Sequence, residues 1–156
     1  MDHVQRLAHL SDEDFTALGA LLVDAVEHGA SVNFVTPPTP DAATQWWRDA
    51  TRETGTHLFV SRDARGRIVG CVRLMQAHQP NGTHRAEVGK LLVHSGAQRQ
   101  GRATALMAAV EALAAELGIT LLILDTETGS YAERFYERHG WTAFGVLPNH
   151  LSLIHI

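Results

Sequence analysis

The segment Gln98-Arg99-Gln100-Gly101-Arg102-Ala103 joins an apolar strand to a long amphipathic helix, and this junction indicates the fold. The first turn of such a helix has backbone N–H groups without carbonyl partners and carries partial positive charge, so it attracts anions. Gly101 lets the main chain approach a diphosphate closely, and Ala103 keeps the first turn thin. Arg99 and Arg102 are expected to add positive charge at the rim. The hexapeptide alone is equally consistent with an ordinary solvated helix start.

The segments on both sides of this loop predict a β-α-β unit. Residues 85–93 before it predict a strand that carries one acid, Glu87, in its first half. After the loop, apolar residues recur at helical spacing until Gly118 ends the helix. Residues 119–124 predict an apolar strand of the buried kind. A right-handed crossover then makes the two strands parallel neighbours.

Two helices and a hairpin precede this unit. Ser11 is expected to cap a first helix, whose acidic first turn is followed by apolar residues at helical spacing. Asp41 is expected to cap a second helix, which Gly55 ends. Residues 57–62 and 67–75 are rich in β-formers and are joined by turn-forming residues, so they predict neighbouring antiparallel strands.

A last helix follows the unit. Ser130 and Glu133 have the spacing of a capping box, in which each side chain accepts a hydrogen bond from the other residue's backbone N–H. The helix is predicted to run to His139, where Gly140 stops it and Trp141 begins another strand. Helices and strands that alternate in this way place the chain in the α/β class.

Length, composition and charge limit the classes of protein to which this chain can belong. A chain of 156 residues, 45% apolar and 19% charged, is the size of one domain, predicted to span residues 1–150. The formal net charge of -4 leaves no basic face for nucleic acid, and no apolar run is long enough to span a membrane. A single cysteine, Cys71, suits a reducing compartment, so a cytoplasmic location is expected. Ten histidines without ligand spacing predict no metal site.

Two motifs carry a family resemblance. The strand, Gln-x-x-Gly-x-Ala and helix resemble the acetyl-CoA site of the GNAT N-acetyltransferase superfamily, and residues 132–141 resemble its A-x-x-F-Y-x-x-x-G-F/W segment. The resemblance implies a mixed, twisted sheet with a central parallel β-α-β unit and flanking helices. It implies acetyl-CoA as co-substrate, bound through its pantetheine arm and its pyrophosphate by two sets of residues. These are Leu91, Leu92 and Val93 for the arm, and Gln98, Arg99, Gln100, Gly101, Arg102 and Ala103 for the pyrophosphate.

A narrower resemblance covers roughly residues 26–149, which are similar to tabtoxin-resistance-type acetyltransferases within that superfamily. It implies that Glu87 is the general base and Asp125 a second acid, either of which could orient a cationic amine. The superfamily pattern implies that Tyr136 protonates the leaving thiolate. From the residues alone, the alternatives are a surface pair of Glu87 with Arg85, a loop-capping Asp125 and a core aromatic Tyr136.

The expected function is transfer of an acetyl group from acetyl-CoA to a primary amine of a small molecule, either amino-acid-like or an antimetabolite. Two alternatives stay open: a non-catalytic acyl-CoA-binding or regulatory module, and acetylation of a protein amine. The expected partner is the small amine, and neither nucleic acid nor a membrane is expected. The sequence leaves a homodimer open.

The last six residues, 151–156, read like a translated sequencing-library adapter, so a non-native tail is expected there. Superfamily members of this type continue into a final strand beside residues 119–124, and this strand is expected to be truncated here. The alternative is that the apolar tail itself forms a short last strand.

Overall fold

The computed structural model describes residues 3–150. The strands are β1 (His3–Leu7), β2 (Thr56–Arg62), β3 (Ile68–Gln76), β4 (Arg85–Val93) and β5 (Leu121–Ile123). The helices are α1 (Asp12–Glu27), α2 (Pro40–Ala50), α3 (Arg102–Glu116) and α4 (Tyr131–Arg138), with a short 3-10 turn at Ser95–Ala97. The expected non-native tail, 151–156, lies outside the described residues.

The five strands form one mixed sheet in the order β1-β2-β3-β4-β5. Neighbours are antiparallel from β1 to β4, and β4 and β5 are parallel. The helix α3 connects the parallel pair, which confirms the predicted β-α-β unit and the α/β class. The parallel pairing is short, because it ends where Glu87 lies opposite Ile123.

Two cores lie on opposite faces of the sheet. Alternate residues of a strand serve different cores, because successive side chains point to opposite faces. In β2, Leu58 and Val60 pack with α1 and α2, whereas Phe59 packs with α3. In β3, Cys71 belongs to the first core and Val72 to the second. The sheet is therefore covered on both faces.

The helix starts differ in part from the prediction. Ser11 caps α1 with a complete capping box, as its position predicts. The cap of α2 is Thr39 and not Asp41: its hydroxyl accepts from the N–H of Ala42 at 3.2 Å, and proline fits the first helical position that follows. The helix ends at Ala50, before the predicted glycine stop.

The capping box predicted for α4 forms only by half. The Ser130 hydroxyl accepts from the N–H of Glu133 at 3.1 Å. The reciprocal bond is replaced, because the N–H of Ser130 donates to the carbonyl of Glu127 at 3.2 Å. The helix nevertheless starts where the sequence predicts.

Three strand predictions need correction. The strand predicted at 119–124 is shorter, and it is not buried: Leu121 and Ile123 are 47% and 37% exposed, because β5 is the outermost strand of the described sheet. No strand begins at Trp141 within the described residues, and its ring packs instead on Tyr136 with 5.8 Å between centroids. The edge strand β1, largely polar, was not predicted.

Candidate active site

A cavity of about 630 Å³ opens where β4 and β5 separate. The two strands pair only up to Glu87, so the edge of β4 that faces β5 has no strand partner over residues 88–93 in the described part of the chain. The cavity extends from this gap to the start of α3 and is closed on another side by α4. All three predicted catalytic residues line it, namely Glu87, Asp125 and Tyr136.

The loop at residues 98–103 forms one end of the cavity. The N-cap of α3 is Gly101, whose φ of 78° lies in the left-handed region that favours glycine. Side-chain hydroxyls cap α1, α2 and α4, whereas no side chain caps α3, so the N–H groups of its first turn face the cavity without such a partner. A Cβ placed on Gly101 would meet nothing within 4 Å. The loop therefore has the open space and the donors that a diphosphate requires.

The arginines of this loop differ from each other. Arg99 is exposed at the rim, as predicted, and has a φ of 60°, so its backbone adopts the left-handed conformation. The side chain of Arg102 is not at the rim: it is 6% exposed and donates to the Ser61 hydroxyl at 2.8 Å. The Arg102 side chain therefore fastens the start of α3 to β2 and does not add charge at the rim.

The glutamines of the loop are also divided. The side-chain amide of Gln98, which lines the cavity, donates to the carbonyl of Val93 at 3.4 Å. The side chain of Gln100 accepts from Arg102 Nε at 3.1 Å, and Gln100 is not among the residues that line the cavity. The Gln100 side chain is therefore engaged with Arg102, and its role at the pyrophosphate stays a prediction.

A β-bulge interrupts β4 just before the predicted pantetheine segment. Cys71 lies opposite Leu92 and Arg73 opposite Gly89, so β4 has one residue more than β3 over this stretch. The extra residue falls at Lys90, whose φ is 52°. The bulge therefore lies at Lys90, three residues after Glu87. Leu91, Leu92 and Val93 follow it along the open edge and line the cavity.

The two predicted acids lie at the other end of the cavity. Glu87 is exposed and pairs with Met75 of β3, so its side chain shares a face with that of Arg73. The alternative ion pair with Arg85 does not form, since the Arg85 guanidinium packs against Gly82. Asp125 is exposed and follows the end of β5 by two residues. Both carboxylates therefore face the gap between the parallel strands.

Tyr136 reaches the cavity from α4. Its neighbour Phe135 is 8% exposed and belongs to the core, whereas Tyr136 is half-buried and packs against Phe135 with 5.4 Å between ring centroids. Burial, and to a lesser extent the charge of Asp125, raises the pKa of the Tyr136 phenol to about 12. The phenol therefore keeps its proton at neutral pH and can donate it.

Sequence reasoning missed two cations in this cavity, Arg73 and Lys90, each only 7% exposed. Arg73 is a single charge in the apolar strand β3, and Lys90 is the only lysine of the chain. Both could have been noticed as charges in apolar strands. Without the bulge, Lys90 would continue the alternation of Ala86 and Val88 into the core beneath α3. The bulge turns it to the opposite face, where its ammonium lies over the ring of Trp46.

Several other chemistries find no support in the described residues. Cys71 is completely buried, and burial raises the pKa of its thiol to about 12, which makes it inert as a nucleophile. Across residues 3–150, no three histidine, cysteine, aspartate or glutamate side chains are grouped to hold a metal ion. None of the described helices combines the length and the apolar character needed to cross a membrane.

Comparison with solved structures shows which fold this is. The chain is 23% identical to an aminoglycoside acetyltransferase from an uncultured soil metagenomic sample, with a TM-score of 0.71 over 94% of this chain and 91% of that one. It is 21% identical to an acetyltransferase of Trypanosoma brucei, with a TM-score of 0.69 over 94% and 96% of the two chains. An N-acetyltransferase of Staphylococcus aureus Mu50 is 19% identical, with a TM-score of 0.72 over 89% and 81%.

The sequence comparison agrees with the fold. A profile of the acetyltransferase (GNAT) family matches residues 8–141, which include every helix and every strand except β1. The matched residues include the start of α3, the parallel strands β4 and β5, which separate after Glu87, and Tyr136 of α4. Members of this family take the acetyl group from acetyl-CoA. The chain therefore belongs to the acetyltransferase (GNAT) family and is an N-acetyltransferase.

Proposed function

We propose that the protein moves the acetyl group of acetyl-CoA to a primary amine of a small molecule by direct attack, with Glu87 and Asp125 serving the amine and Tyr136 the leaving thiolate. One observation carries the proposal. A single cavity has the uncapped start of α3 at one end and these three side chains at the other.

The coenzyme end of the cavity follows from backbone chemistry. The N–H groups at the start of α3 can hold the pyrophosphate, with Gly101 leaving room for it. The open edge of β4 at Leu91, Leu92 and Val93 offers N–H and C=O groups to the amide-containing pantetheine arm, as an added strand would use them. Bound in this direction, acetyl-CoA supplies an activated thioester carbonyl near the bulge.

The amine end needs proton transfer. An ammonium group has no lone pair, so Glu87, directly or through water, removes one proton before the nitrogen attacks the carbonyl carbon. Asp125 can hold the cation in place beforehand. Attack forms the C–N bond and leaves two protons on the nitrogen and a negative charge on the carbonyl oxygen. As the carbonyl re-forms and the C–S bond breaks, Tyr136 gives its proton to the sulfur, and the nitrogen passes one of its protons through water to the Tyr136 phenolate. The proton taken by Glu87 returns to solvent. A backbone N–H of residues 91–93 is placed to stabilise the oxyanion.

A small acceptor fits the room available. The cavity volume of about 630 Å³ is shared by the reacting end of the coenzyme and the acceptor, which favours a compact amine. The similarity of residues 26–149 to tabtoxin-resistance-type enzymes supports an amino-acid-like acceptor or an antimetabolite. The soil metagenomic structure is described as an aminoglycoside acetyltransferase, so aminoglycosides are the comparison class.

The proposal is tested by measuring thiol release from acetyl-CoA against a panel of amines, with product mass as confirmation. The panel contains amino acids, polyamines, an aminoglycoside and a short peptide. We expect turnover with at least one small amine and loss of most of it in Glu87→Gln. Coenzyme binding without turnover on any amine would identify a binding module instead, and turnover on the peptide alone would identify a protein acetyltransferase.

A further inference from the structure

Two buried cations share one aromatic ring at the acceptor end of the cavity. The guanidinium carbon of Arg73 lies 5.0 Å from the ring centroid of Trp46, and Lys90 Nζ lies 4.7 Å from the same ring. Both residues line the cavity, and each is 7% exposed. Arg73 and Lys90 are called the cation pair below.

Apart from the ring of Trp46, the charged groups of the cation pair have no hydrogen-bond or ion-pair partner among residues 3–150. Arg73 Nε is buried and has no hydrogen-bond partner. No carboxylate lies within ion-pair distance of either side chain in that part of the chain. The acids that act on the pair from farther away, Glu53, Glu87 and Asp125, are all exposed to solvent.

Two buried cations without anionic partners destabilise the ligand-free protein. Removing a cation from water is costly, and a cation–π contact offsets only part of that cost. The two cations also repel each other: burial, and then the charge of Arg73, lowers the pKa of Lys90 to about 8. An anionic oxygen group between Arg73 and Lys90 would accept hydrogen bonds from both side chains and cancel their repulsion.

The position of the cation pair indicates whether the anion belongs to the coenzyme or to the acceptor. Lys90 precedes the coenzyme segment at 91–93, and the loop for the pyrophosphate lies beyond that segment at 98–103. Arg73 shares a strand face with Glu87, one of the acids proposed to serve the amine. The cation pair is therefore at the acceptor end, next to carboxylates suited to an ammonium group.

We infer that Arg73 and Lys90 form a carboxylate subsite, so that the acceptor is a zwitterion whose ammonium faces Glu87 and Asp125 while its carboxylate lies between the two cations. The inference rests on the proposed function and narrows it to amino acids. It also excludes polycations such as aminoglycosides as good substrates, because the buried cations would repel them.

The test compares matched acceptors that differ in one charge. Amino acids with the amine in the α, β or γ position are each paired with their own carboxamide, which keeps the shape and removes the anion. We expect kcat/KM to be roughly 10–100-fold higher for the acid than for the amide in the best pair. The ammonium of the α-carboxamide is the more acidic of the two, so amine ionisation would favour the amide and cannot produce this result.

Variants assign the preference to the pair. Lys90→Met and, separately, Arg73→Met should reduce the preference for the acid by about tenfold or more, mainly through KM for the acceptor, with KM for acetyl-CoA unchanged. Arg65→Met, an exposed residue of the β2–β3 hairpin, is the matched control and should keep the preference. Equal rates for acids and amides, or an unchanged preference in both variants, would overturn the inference while leaving the proposed function intact.

A binding measurement separates the two proposals. Calorimetric titration of an amino acid into the protein with coenzyme A present should show binding that Lys90→Met weakens and Arg65→Met does not. If no amine is acetylated, this titration still decides the carboxylate subsite, and the failed turnover counts against the proposed function alone. Absence of amino-acid binding in the unsubstituted protein overturns the inference.

Discussion

The thiol of Cys71 donates a hydrogen bond to the backbone carbonyl of Lys90, with 3.4 Å between Sγ and O, directly across the bulge in β4. A buried carbonyl at a bulge has lost its ladder partner, and the thiol supplies a replacement. This small contact fixes the residue that turns a lysine out of the core and into the cavity. Cys71 therefore serves the site through backbone geometry, although it does no chemistry.

Cys71→Ala should lower the free energy of unfolding by about 1–2 kcal/mol, because the variant loses a hydrogen bond and leaves a small void. Urea denaturation measures this change. Since the pKa of the thiol is raised to about 12, alkylation of the native protein at pH 8 should be far slower than alkylation in denaturant. Rapid labelling of the native protein would contradict the packing described for this strand.

Glu87→Gln should lower kcat by roughly 10²–10⁴ at neutral pH, because the amide cannot take the proton of the ammonium group. Thiol release at saturating acetyl-CoA measures the effect. Glu116→Gln, on an exposed turn of α3 away from the cavity, is the matched control and should keep the rate. An unchanged kcat in Glu87→Gln would transfer the role of base to Asp125.

Tyr136→Phe should reduce kcat by roughly 10–10³-fold while the protein stays folded, since the ring keeps its contacts with Phe135 and Trp141. Because the pKa of the phenol is raised to about 12, Tyr136 should not contribute a falling limb to the pH–rate profile below about pH 10. The profile of the unsubstituted enzyme tests this point. A limb near pH 9 that disappears in the variant would contradict the assigned environment.

Gly101→Val should weaken acetyl-CoA binding by at least tenfold, because a side chain would occupy the open space at the start of α3 and strain a φ of 78°. Gly118→Val is a close control at the other end of the same helix, with a φ of 73° and equally open surroundings. Both variants should lose similar stability in thermal unfolding. Only Gly101→Val should lose coenzyme affinity in calorimetry, and equal affinity in the two would refute the diphosphate assignment.

Lys90→Met should stabilise the protein by on the order of 1–3 kcal/mol at pH 7, since burial depresses the pKa of the lysine from 10.5 to about 8. Between these two values the unfolded chain binds a proton that the folded protein releases, so the stability of the unsubstituted protein rises with pH across this window. The variant should lack that rise in urea denaturation. Because Lys90 is the only lysine, its NMR titration gives an independent value, and a midpoint above 10 would remove the basis for this prediction.

The sequence predicted those parts of the fold whose signals are local. Strand β4 and helix α3 are recognisable because apolar periodicity and a terminal glycine lie within the segments themselves. Strand β1 was missed because its five residues are mostly polar and are ordered by pairing with β2, more than fifty residues away along the chain. The burial expected for β5 was wrong, because apolar residues alone do not reveal whether a strand lies at the edge.

The same distinction holds for the site. The family resemblance pointed to Glu87, Asp125 and Tyr136, and all three line one cavity. The inward side chain of Arg102 was not predictable from the motif, because its partner Ser61 belongs to a distant strand. The direction of the Lys90 side chain was not predictable for a related reason: it depends on one extra residue in the register between β3 and β4, which no single-sequence pattern reveals.

Within residues 3–150 no strand pairs with the outer edge of β5, and this has a practical consequence for handling the protein. Leu121 and Ile123 lie on that strand, and Phe144, Val146 and Leu147 beside it are between 68% and 92% exposed. Unpaired backbone N–H and C=O groups next to exposed apolar side chains can pair with a second molecule and so promote aggregation. We therefore recommend purification from dilute solution, with a solubilising fusion partner and early addition of acetyl-CoA. Catalytic assays are best run at low enzyme concentration.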